Sequence, residues 1–331
     1  MSIGPSNEKS KNDQEIENRS KAILGGRQAL PSKISFVQTI INPAAGRDQP
    51  ILKTLNAAFT TAGVDWDVAI TKKPGDGTRL AKKAVEAGAD VVLVHGGDGT
   101  VMEVASGLVG SQVPLAIVPG GTANVMSHEL GIPVDLVEAC TLAVNPDATI
   151  RKIDMGKIKD VYFMLRAGMG FEAAMVRGAD RELKDRVGLL AYALSGLQEL
   201  TDPQIARYHL VLDGQNVETE GLACIVANSG NIGAAGMSLA PNIDISDGLL
   251  DVMVVTKADL PSLIALAATV VGGAENDAPA LQHWQVKQVT ISSDPPQQVQ
   301  VDGEMLAQTP IDVQIVPEAV KVIVPPGVNT G

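Results

Sequence analysis

Cysteine, aromatic residues and positive charge are all scarce in this sequence of 331 residues. The 2 cysteines cannot form a disulfide framework, so the sequence fits a reducing compartment. A formal net charge of −12 argues against nucleic acid as a partner, since nucleic-acid phosphates attract basic surfaces. No apolar run approaches the ~18 residues that a transmembrane helix needs. We therefore predict a cytoplasmic protein without a transmembrane segment.

Segment 1–33 is polar, lacks the apolar stretch of a secretory signal and is predicted to be a disordered tail. From residue 34 to 150, apolar strand patterns alternate with helical patterns. This alternation predicts an α/β domain with a parallel sheet and helices on both faces. From residue 151 to 325, short strand patterns dominate and predict a β-rich sandwich. A return of the last strand to the first domain is left open.

A glycine-rich loop, Gly96-Gly97-Asp98-Gly99-Thr100, separates a predicted strand from a predicted helix. Glycine lets a phosphate approach the backbone closely, and a helix N-terminus offers N–H groups to an anion. A carboxylate in such a loop would repel a triphosphate unless a cation lay between them. Asp98 therefore favours a nucleotide bound with Mg²⁺, and the alternative is a plain tight turn with Thr100 as the helix cap.

A second glycine loop, residues 119–124, follows the next predicted strand and contains Gly121, Thr122 and Asn124. Ligands of parallel sheets bind beyond the carboxyl ends of the strands. Both loops should therefore lie at one edge of the sheet. Asn42 and Thr71, which follow the first two strands, would complete the same cleft or would be ordinary turn residues.

Two acidic segments in the second half of the chain could carry chemistry. Asp302 and Glu304 flank a glycine, and residues two apart on an extended segment face the same side. Their carboxylates could therefore converge as a general base and its helper, but Asp-Gly is also a favoured hairpin turn. Asp244 and Asp247 either bind a cation through side-chain and backbone oxygens or form a polar turn before a strand.

With its motifs in this order, the sequence resembles the diacylglycerol kinase catalytic-domain family, specifically the soluble bacterial lipid kinases related to sphingosine and ceramide kinases. The motifs include Asn42-Pro43-Ala44-Ala45-Gly46, the two glycine loops, Gly168-Met169-Gly170, Ala227-Asn228-Ser229 and Val301-Asp302-Gly303-Glu304. The resemblance implies an N-terminal domain of the NAD kinase/diacylglycerol kinase type and a cleft between the two domains. It also implies ATP and Mg²⁺ as cofactors. The sequence departs from the family pattern at Met102 and Val125, both near the expected nucleotide.

The resemblance also implies roles for individual residues. Asp98, Asp302 and Glu304 would be catalytic, with Glu304 as the general base on the acceptor hydroxyl. A structural Mg²⁺ would be held by Asp247 and the Leu249 carbonyl, together with Asp244. The residues expected to bind the nucleotide are Asn42, Gly46, Thr71, Gly96, Gly97, Asp98, Gly99, Thr100, Val101, Met102, Glu103, Gly121, Thr122 and Asn124.

The activity implied by the resemblance is phosphorylation of a hydroxyl on diacylglycerol or a related lipid, such as phosphatidylglycerol, a sphingoid base or ceramide. Such an enzyme would dock transiently on a membrane surface, and a homodimer is left open. Two alternatives remain. One is an NAD-kinase-like phosphotransferase acting on a soluble nucleotide, and the other is a protein that binds nucleotide or lipid without turnover.

Overall fold

The computed structural model describes residues 11–23, 34–45, 49–170, 205–231, 239–240, 242–256 and 281–327. Contacts within the chain divide it into two units. Unit 1 comprises the chain up to Arg151 together with the segment from Lys321 to Thr330. Unit 2 comprises Lys152–Val320.

Unit 1 is built on a parallel sheet with the strand order β2-β1-β3-β4. The third and fourth strands are buried along their whole length, as apolar runs predict for central parallel strands. The end of β16 adds a further parallel strand, with Val322 opposite Leu115. The strands are β1 (Phe36–Ile41), β2 (Asp65–Ile70), β3 (Val91–Gly96), β4 (Leu115–Pro119) and β16 (Ile311–Val324).

Helices follow the strands of unit 1 in the alternation that the sequence predicts. Gly63 ends the second helix in the left-handed conformation, at a φ of 68°, and the side chain of Asp135 caps the start of the sixth. None of the described helices is both long and apolar enough to cross a membrane. The helices are α1 (Lys11–Ile23), α2 (Ile51–Ala62), α3 (Asp76–Glu86), α4 (Asp98–Leu108), α5 (Val125–Glu129) and α6 (Leu136–Leu142).

Helix α1 lies within the segment that the sequence predicts to be disordered. Its Ile16 is buried, and its Asp13 accepts a hydrogen bond from Lys53 of α2 at 2.8 Å. Arg19 donates to Asp135 at 2.9 Å. The prediction of a tail disordered from residue 1 to 33 is therefore wrong for residues 11–23, because one apolar side chain and two ion pairs dock a polar helix.

Unit 2 is a sandwich of two antiparallel sheets. Its core combines Tyr208, Leu210 and Ile291 of the first sheet with Val226 and Val252 of the second. The first sheet contains β5 (Thr149–Ile158), β6 (Val161–Phe163), β8 (Ala206–Leu212), β9 (Gln215–Gly221), β13 (Gln288–Asp294) and part of β16. The second has the order β12 (Leu281–Val286), β11 (Leu250–Val255), β10 (Ala223–Ala227), β7 (Arg166–Gly170), β14 (Gln298–Val301), β15 (Glu304–Gln308). The helices predicted at 182–200 and 260–272 lie outside the described residues.

Asp76 fixes the start of α3. Its carboxylate accepts hydrogen bonds from the Arg79 guanidinium at 2.7 Å and from the Lys72 and Lys73 N–H groups at 2.9 and 3.2 Å. The hydrogen bond from Arg79, followed by that from Lys72, lowers the pKa of Asp76 to about 2. The ionised carboxylate is thus favoured in the folded state.

We predict that Asp76 makes the stability of unit 1 depend on pH in the acid range. Because its folded pKa is lowered, its contribution should be complete above about pH 4 and should be lost as the pH falls through about 2. The Asp76→Asn variant should therefore be less stable than the wild type in urea titrations at pH 7, and the difference should shrink toward pH 2. A difference that did not change with pH would contradict this assignment.

Candidate active site

The two glycine loops of unit 1 pack directly against each other. They follow β3 and β4, whose last residues, Gly96 and Pro119, are paired. A Cβ atom placed on Gly121 would lie 2.6 Å from the Cα of Gly97, closer than real side chains come. The Gly120 N–H also donates to the Gly96 carbonyl at 2.9 Å. The structure therefore brings the two predicted loops together at one edge of the sheet.

Helix α4 begins at Asp98, with Gly97 as its N-cap and no side-chain hydrogen bond to the cap. The N–H groups of a first helical turn are electropositive and bind anions. A Cβ atom on Gly99 would meet no heavy atom within 4 Å, so this side of the turn is open. The start of α4 can therefore accept a phosphate.

Asp98 connects the first glycine loop to the helix that follows the second. Its Oδ1 atom accepts a hydrogen bond from the Met126 N–H at 3.3 Å. Burial raises the pKa of Asp98, and backbone N–H groups, those of Met126 and Val125 among them, act in the opposite direction. A nearby cation would also favour the ionised form. The environment of Asp98 therefore fits the predicted role beside Mg²⁺.

Several other residues predicted to bind the nucleotide make hydrogen bonds at the carboxyl ends of the strands. The Asn42 side chain donates to the Thr100 hydroxyl at 2.8 Å. Asn124 has a φ of 45°, and its amide exchanges two hydrogen bonds of 2.8 Å with the backbone of Gly121. Thr71 is buried, and its N–H donates to the Ile41 carbonyl at 2.9 Å. Gly46 lies outside the described residues.

Glu103 has a structural environment that the sequence analysis did not anticipate. Its two carboxylate oxygens accept hydrogen bonds from the Gly75 and Gly77 N–H groups, both at 2.8 Å. The Glu103 carbonyl accepts a third hydrogen bond from the Thr78 hydroxyl at 2.8 Å. Glu103 therefore holds the start of α3, where its charge complements the helix dipole. Val101 is buried in the core of the unit.

In unit 2, Asp302 and Gly303 form a two-residue turn between β14 and β15. Their φ angles are 46° and 93°, and Val301 pairs with Glu304 across the turn. Positive φ at both positions is typical of the Asp-Gly hairpin turn. The premise that Asp302 and Glu304 share one side of an extended segment is therefore wrong, because the chain reverses between them.

The carboxylate of Asp302 is held by the backbone of a neighbouring segment. It accepts hydrogen bonds from the N–H groups of Met164, Leu165 and Arg166 at 2.9, 3.1 and 2.9 Å. Burial raises the pKa of Asp302 to about 6, although these three donors act against the increase. Glu304, by contrast, is exposed at the start of β15. One carboxylate is thus fixed in the structure and the other is accessible.

Asn228 forms hydrogen bonds to the carbonyl groups of the same backbone segment. Its side-chain amide donates to the carbonyls of Met164 at 2.8 Å and Asp154 at 3.0 Å, and its N–H donates to the Leu165 carbonyl at 2.9 Å. In the sequence, Asn228 stands within a family motif, and no role is predicted for it there. Its signal was a polar residue directly after the buried strand Ala223–Ala227.

The acidic loop 244–249 contains the oxygen donors predicted to hold a cation. Asp247 accepts a hydrogen bond from the Leu249 N–H at 2.9 Å. Burial, followed by repulsion from Asp251, Asp244 and Asp154, raises the pKa of Asp247. Carboxylate and carbonyl oxygens suit Mg²⁺, and a cation would relieve this repulsion. Within the described ranges, no group of three or more His, Cys, Asp or Glu side chains is placed to share a metal ion.

Asp154 anchors this acidic loop and was missed by the sequence analysis. Its carboxylate accepts hydrogen bonds from the Gly248 N–H at 2.6 Å and the Glu318 N–H at 2.7 Å. Its own N–H donates to the Ile245 carbonyl at 2.8 Å. An acidic residue inside the otherwise apolar centre of β5 was the available signal, since Asp154 is only 2% exposed.

Comparison with known proteins identifies the family. Residues 37–158 match the model of the diacylglycerol kinase catalytic domain, and residues 166–324 match the YegS C-terminal NAD kinase beta sandwich-like domain. A diacylglycerol kinase of Bacillus subtilis is 30% identical over 80% of this chain and 88% of its own. A diacylglycerol kinase of Mycobacterium tuberculosis is 30% identical over 91% of this chain and 99% of its own.

A solved structure gives the same result. The crystal structure of a diacylglycerol kinase from Bacillus anthracis matches with a TM-score of 0.71 and 26% identity, over 90% of this chain and 99% of that one. The chain therefore belongs to the diacylglycerol kinase catalytic-domain family. The predicted family, the α/β domain followed by a β-rich sandwich, and the class of lipid-kinase phosphotransferases are confirmed.

We predict that glycine is required at position 121 but not at position 99. The methyl group of Gly121→Ala would collide with the Gly97 backbone and should lower the free energy of unfolding by about 1–3 kcal/mol. Gly99→Ala is the matched control, since its methyl group meets open space in a helix and should raise stability by about 0.5–1 kcal/mol. Urea unfolding measures both changes. Equal stabilities would contradict the observed packing of the loops.

Proposed function

We propose that this protein is an ATP- and Mg²⁺-dependent kinase that phosphorylates a hydroxyl of diacylglycerol or a related lipid. The observation that carries the proposal is the hairpin Val301–Glu304. Its half-buried carboxylate, Asp302, is held by three backbone N–H groups, and its second carboxylate, Glu304, is exposed. A fixed turn that presents one accessible carboxylate suits a general base.

On unit 1, the glycine loops would bind the phosphates of ATP. The first turn of α4 supplies N–H groups to the anion, and the contact between Gly97 and Gly121 leaves no side chain in the way. Asp98 would hold the Mg²⁺ that accompanies the nucleotide. When bound, this cation neutralises charge that develops on the phosphates during transfer.

On unit 2, Glu304 would accept the proton of the lipid hydroxyl while the hydroxyl oxygen attacks the terminal phosphorus of ATP. The bond from that phosphorus to the bridging oxygen would break, and ADP would leave. Asp302 and Asn228 would hold the hairpin and the segment behind it in place. Asp247, the Leu249 carbonyl and Asp244 would hold a structural Mg²⁺. The enzyme would work at the cytoplasmic surface of a membrane, where its acceptor lies, and a homodimer stays a prediction.

We predict that Asp98→Asn weakens the binding of ATP in the presence of Mg²⁺ by roughly 10–100-fold. Asparagine keeps an oxygen for the Met126 N–H and removes the charge that would face the cation. Titration calorimetry with and without Mg²⁺ separates these effects, since affinity measured without the cation should change much less. An affinity for Mg²⁺-ATP equal to that of the wild type would reject Asp98 as the residue that holds the cation.

We predict that Glu304→Gln lowers turnover by roughly 10²–10⁴-fold and leaves ATP binding intact. Glutamine has the same shape but cannot accept the proton. Transfer of labelled phosphate from ATP to lipids in mixed micelles measures the effect, with diacylglycerol, phosphatidylglycerol, sphingosine and ceramide as acceptors. Glu218→Gln, a change at a side chain 73% exposed on β9, is the matched control and should retain wild-type turnover.

The same assay with NAD added as a further acceptor, together with a titration of ATP binding, tests the competing functions. Wild-type activity in the Glu304→Gln variant would remove Glu304 as the base. Label on NAD instead of lipid would identify a kinase acting on a soluble nucleotide. Binding of ATP without any transfer would identify a protein that binds nucleotide or lipid without turnover.

A further inference from the structure

Two neighbouring apolar side chains are exposed directly after Glu304. Met305 is 42% exposed and Leu306 is 37% exposed. Among the large hydrophobic side chains that are exposed in the described part of the chain, these are the only two adjacent in sequence. Single exposed apolar residues are common on soluble proteins, whereas contiguous ones mark contact surfaces.

The strand that carries these side chains lies at the edge of its sheet. The strand order of the second sheet ends at β15, which pairs with β14. Proteins usually protect such edges with lysine, proline or a covering segment. The sequence of β15, Glu304-Met305-Leu306-Ala307-Gln308, contains neither lysine nor proline. In the described part of the chain, this edge therefore presents exposed apolar side chains without lysine or proline, which is the composition of a binding surface.

A β-bulge interrupts the backbone edge of β15, so the binding surface at this edge is formed by side chains more than by free backbone groups. Gln300 pairs with Met305 and Val299 pairs with Ala307, so Leu306 has no partner in β14. A bulge redirects a side chain and interrupts the regular hydrogen-bonding edge. The interruption disfavours addition of a strand from a second copy of the chain. As the occupant of this surface, the geometry therefore favours an apolar phase over an added β-strand.

The charge of the hairpin limits the chemistry of its partner. Residues 297–308 contain no lysine or arginine and include two carboxylates, Asp302 and Glu304. A segment of this charge does not attract anionic lipid headgroups or nucleic acid. Its apolar pair fits the hydrocarbon boundary of a membrane made of neutral lipids.

We propose that Met305 and Leu306 dock the hairpin onto a neutral lipid surface and place Glu304 at the level of the acceptor hydroxyl. Strand residues advance by about 3.3 Å each, so both side chains lie within roughly 7 Å of Glu304 along the strand. In a diacylglycerol-like lipid, the hydroxyl is only a few bonds from the acyl chains. Glu304 would thus meet the lipid hydroxyl, and Met305 and Leu306 would meet the hydrocarbon of the same surface. This inference rests on the proposed function.

The direct test is vesicle binding by the double variant Met305→Thr/Leu306→Thr, measured without ATP. Threonine removes most of the apolar surface and is well accepted in strands. Flotation with phosphatidylcholine vesicles, with and without diacylglycerol, should show binding weakened by roughly tenfold. Ile205→Thr, at a side chain 51% exposed in the same unit, is the matched control and should bind like the wild type. Thermal unfolding verifies that each variant is folded, and the two single variants replace the double variant if it is not.

Kinase assays separate a failure of this inference from a failure of the proposed function. On long-chain diacylglycerol in vesicles, the double variant should show a raised apparent KM with little change in kcat. Its loss of kcat/KM on a dispersed short-chain diacylglycerol should be much smaller. Weakened vesicle binding without kinase activity in the wild type would support the docking surface and reject the lipid kinase.

Unchanged vesicle binding by the folded double variant would overturn the docking surface, whether or not the protein has kinase activity. If the double substitution also converted a wild-type dimer to a monomer, that result would assign the edge of β15 to a second copy of the chain.

Discussion

The hydrogen bonds between the Asp302 carboxylate and three backbone N–H groups organise the hairpin Val301–Glu304 of unit 2. A carboxylate that is partly removed from water is costly unless several donors satisfy it, so this arrangement tolerates few alternatives. The backbone of Met164–Arg166 must be fixed for the donors to converge, and Asn228 fixes it from the other side. The backbone donors that bind Asp302 therefore fix the turn. The exposed Glu304 takes its position from this turn.

The sequence predicts best where a signal is local. The apolar run Val91–Val94 by itself predicts a buried central strand. The glycines of the loop Gly96–Thr100 by themselves predict a close approach of another group to the backbone. The pair Asp302 and Glu304 stays a prediction as a catalytic site, and the extended geometry expected for it is wrong. Asp-Gly supports either a turn or an extended catalytic segment, and the three donors that select the turn lie about 140 residues earlier in the chain.

Long-range partners explain the other differences. Glu103 reads as part of the nucleotide loop, yet its carboxylate accepts hydrogen bonds from the N–H groups of Gly75 and Gly77 at the start of α3. Helix α1 looks too polar to fold until Lys53 and Asp135 supply its ion pairs. In each case the deciding contact joins distant parts of the chain, which patterns within a short window cannot reveal.

The last strand has a consequence for the order in which the protein is made. β16 pairs with β13 in unit 2 near its beginning and with β4 in unit 1 near its end. A ribosome delivers Val322 roughly 200 residues after its partner Leu115, a delay of roughly 10–40 s at ordinary rates of synthesis. During that interval, the edge of β4 lacks this native neighbour. The sheet of unit 1 is therefore completed only after nearly all of unit 2 has been synthesised, although most of the unit 1 sequence is synthesised first.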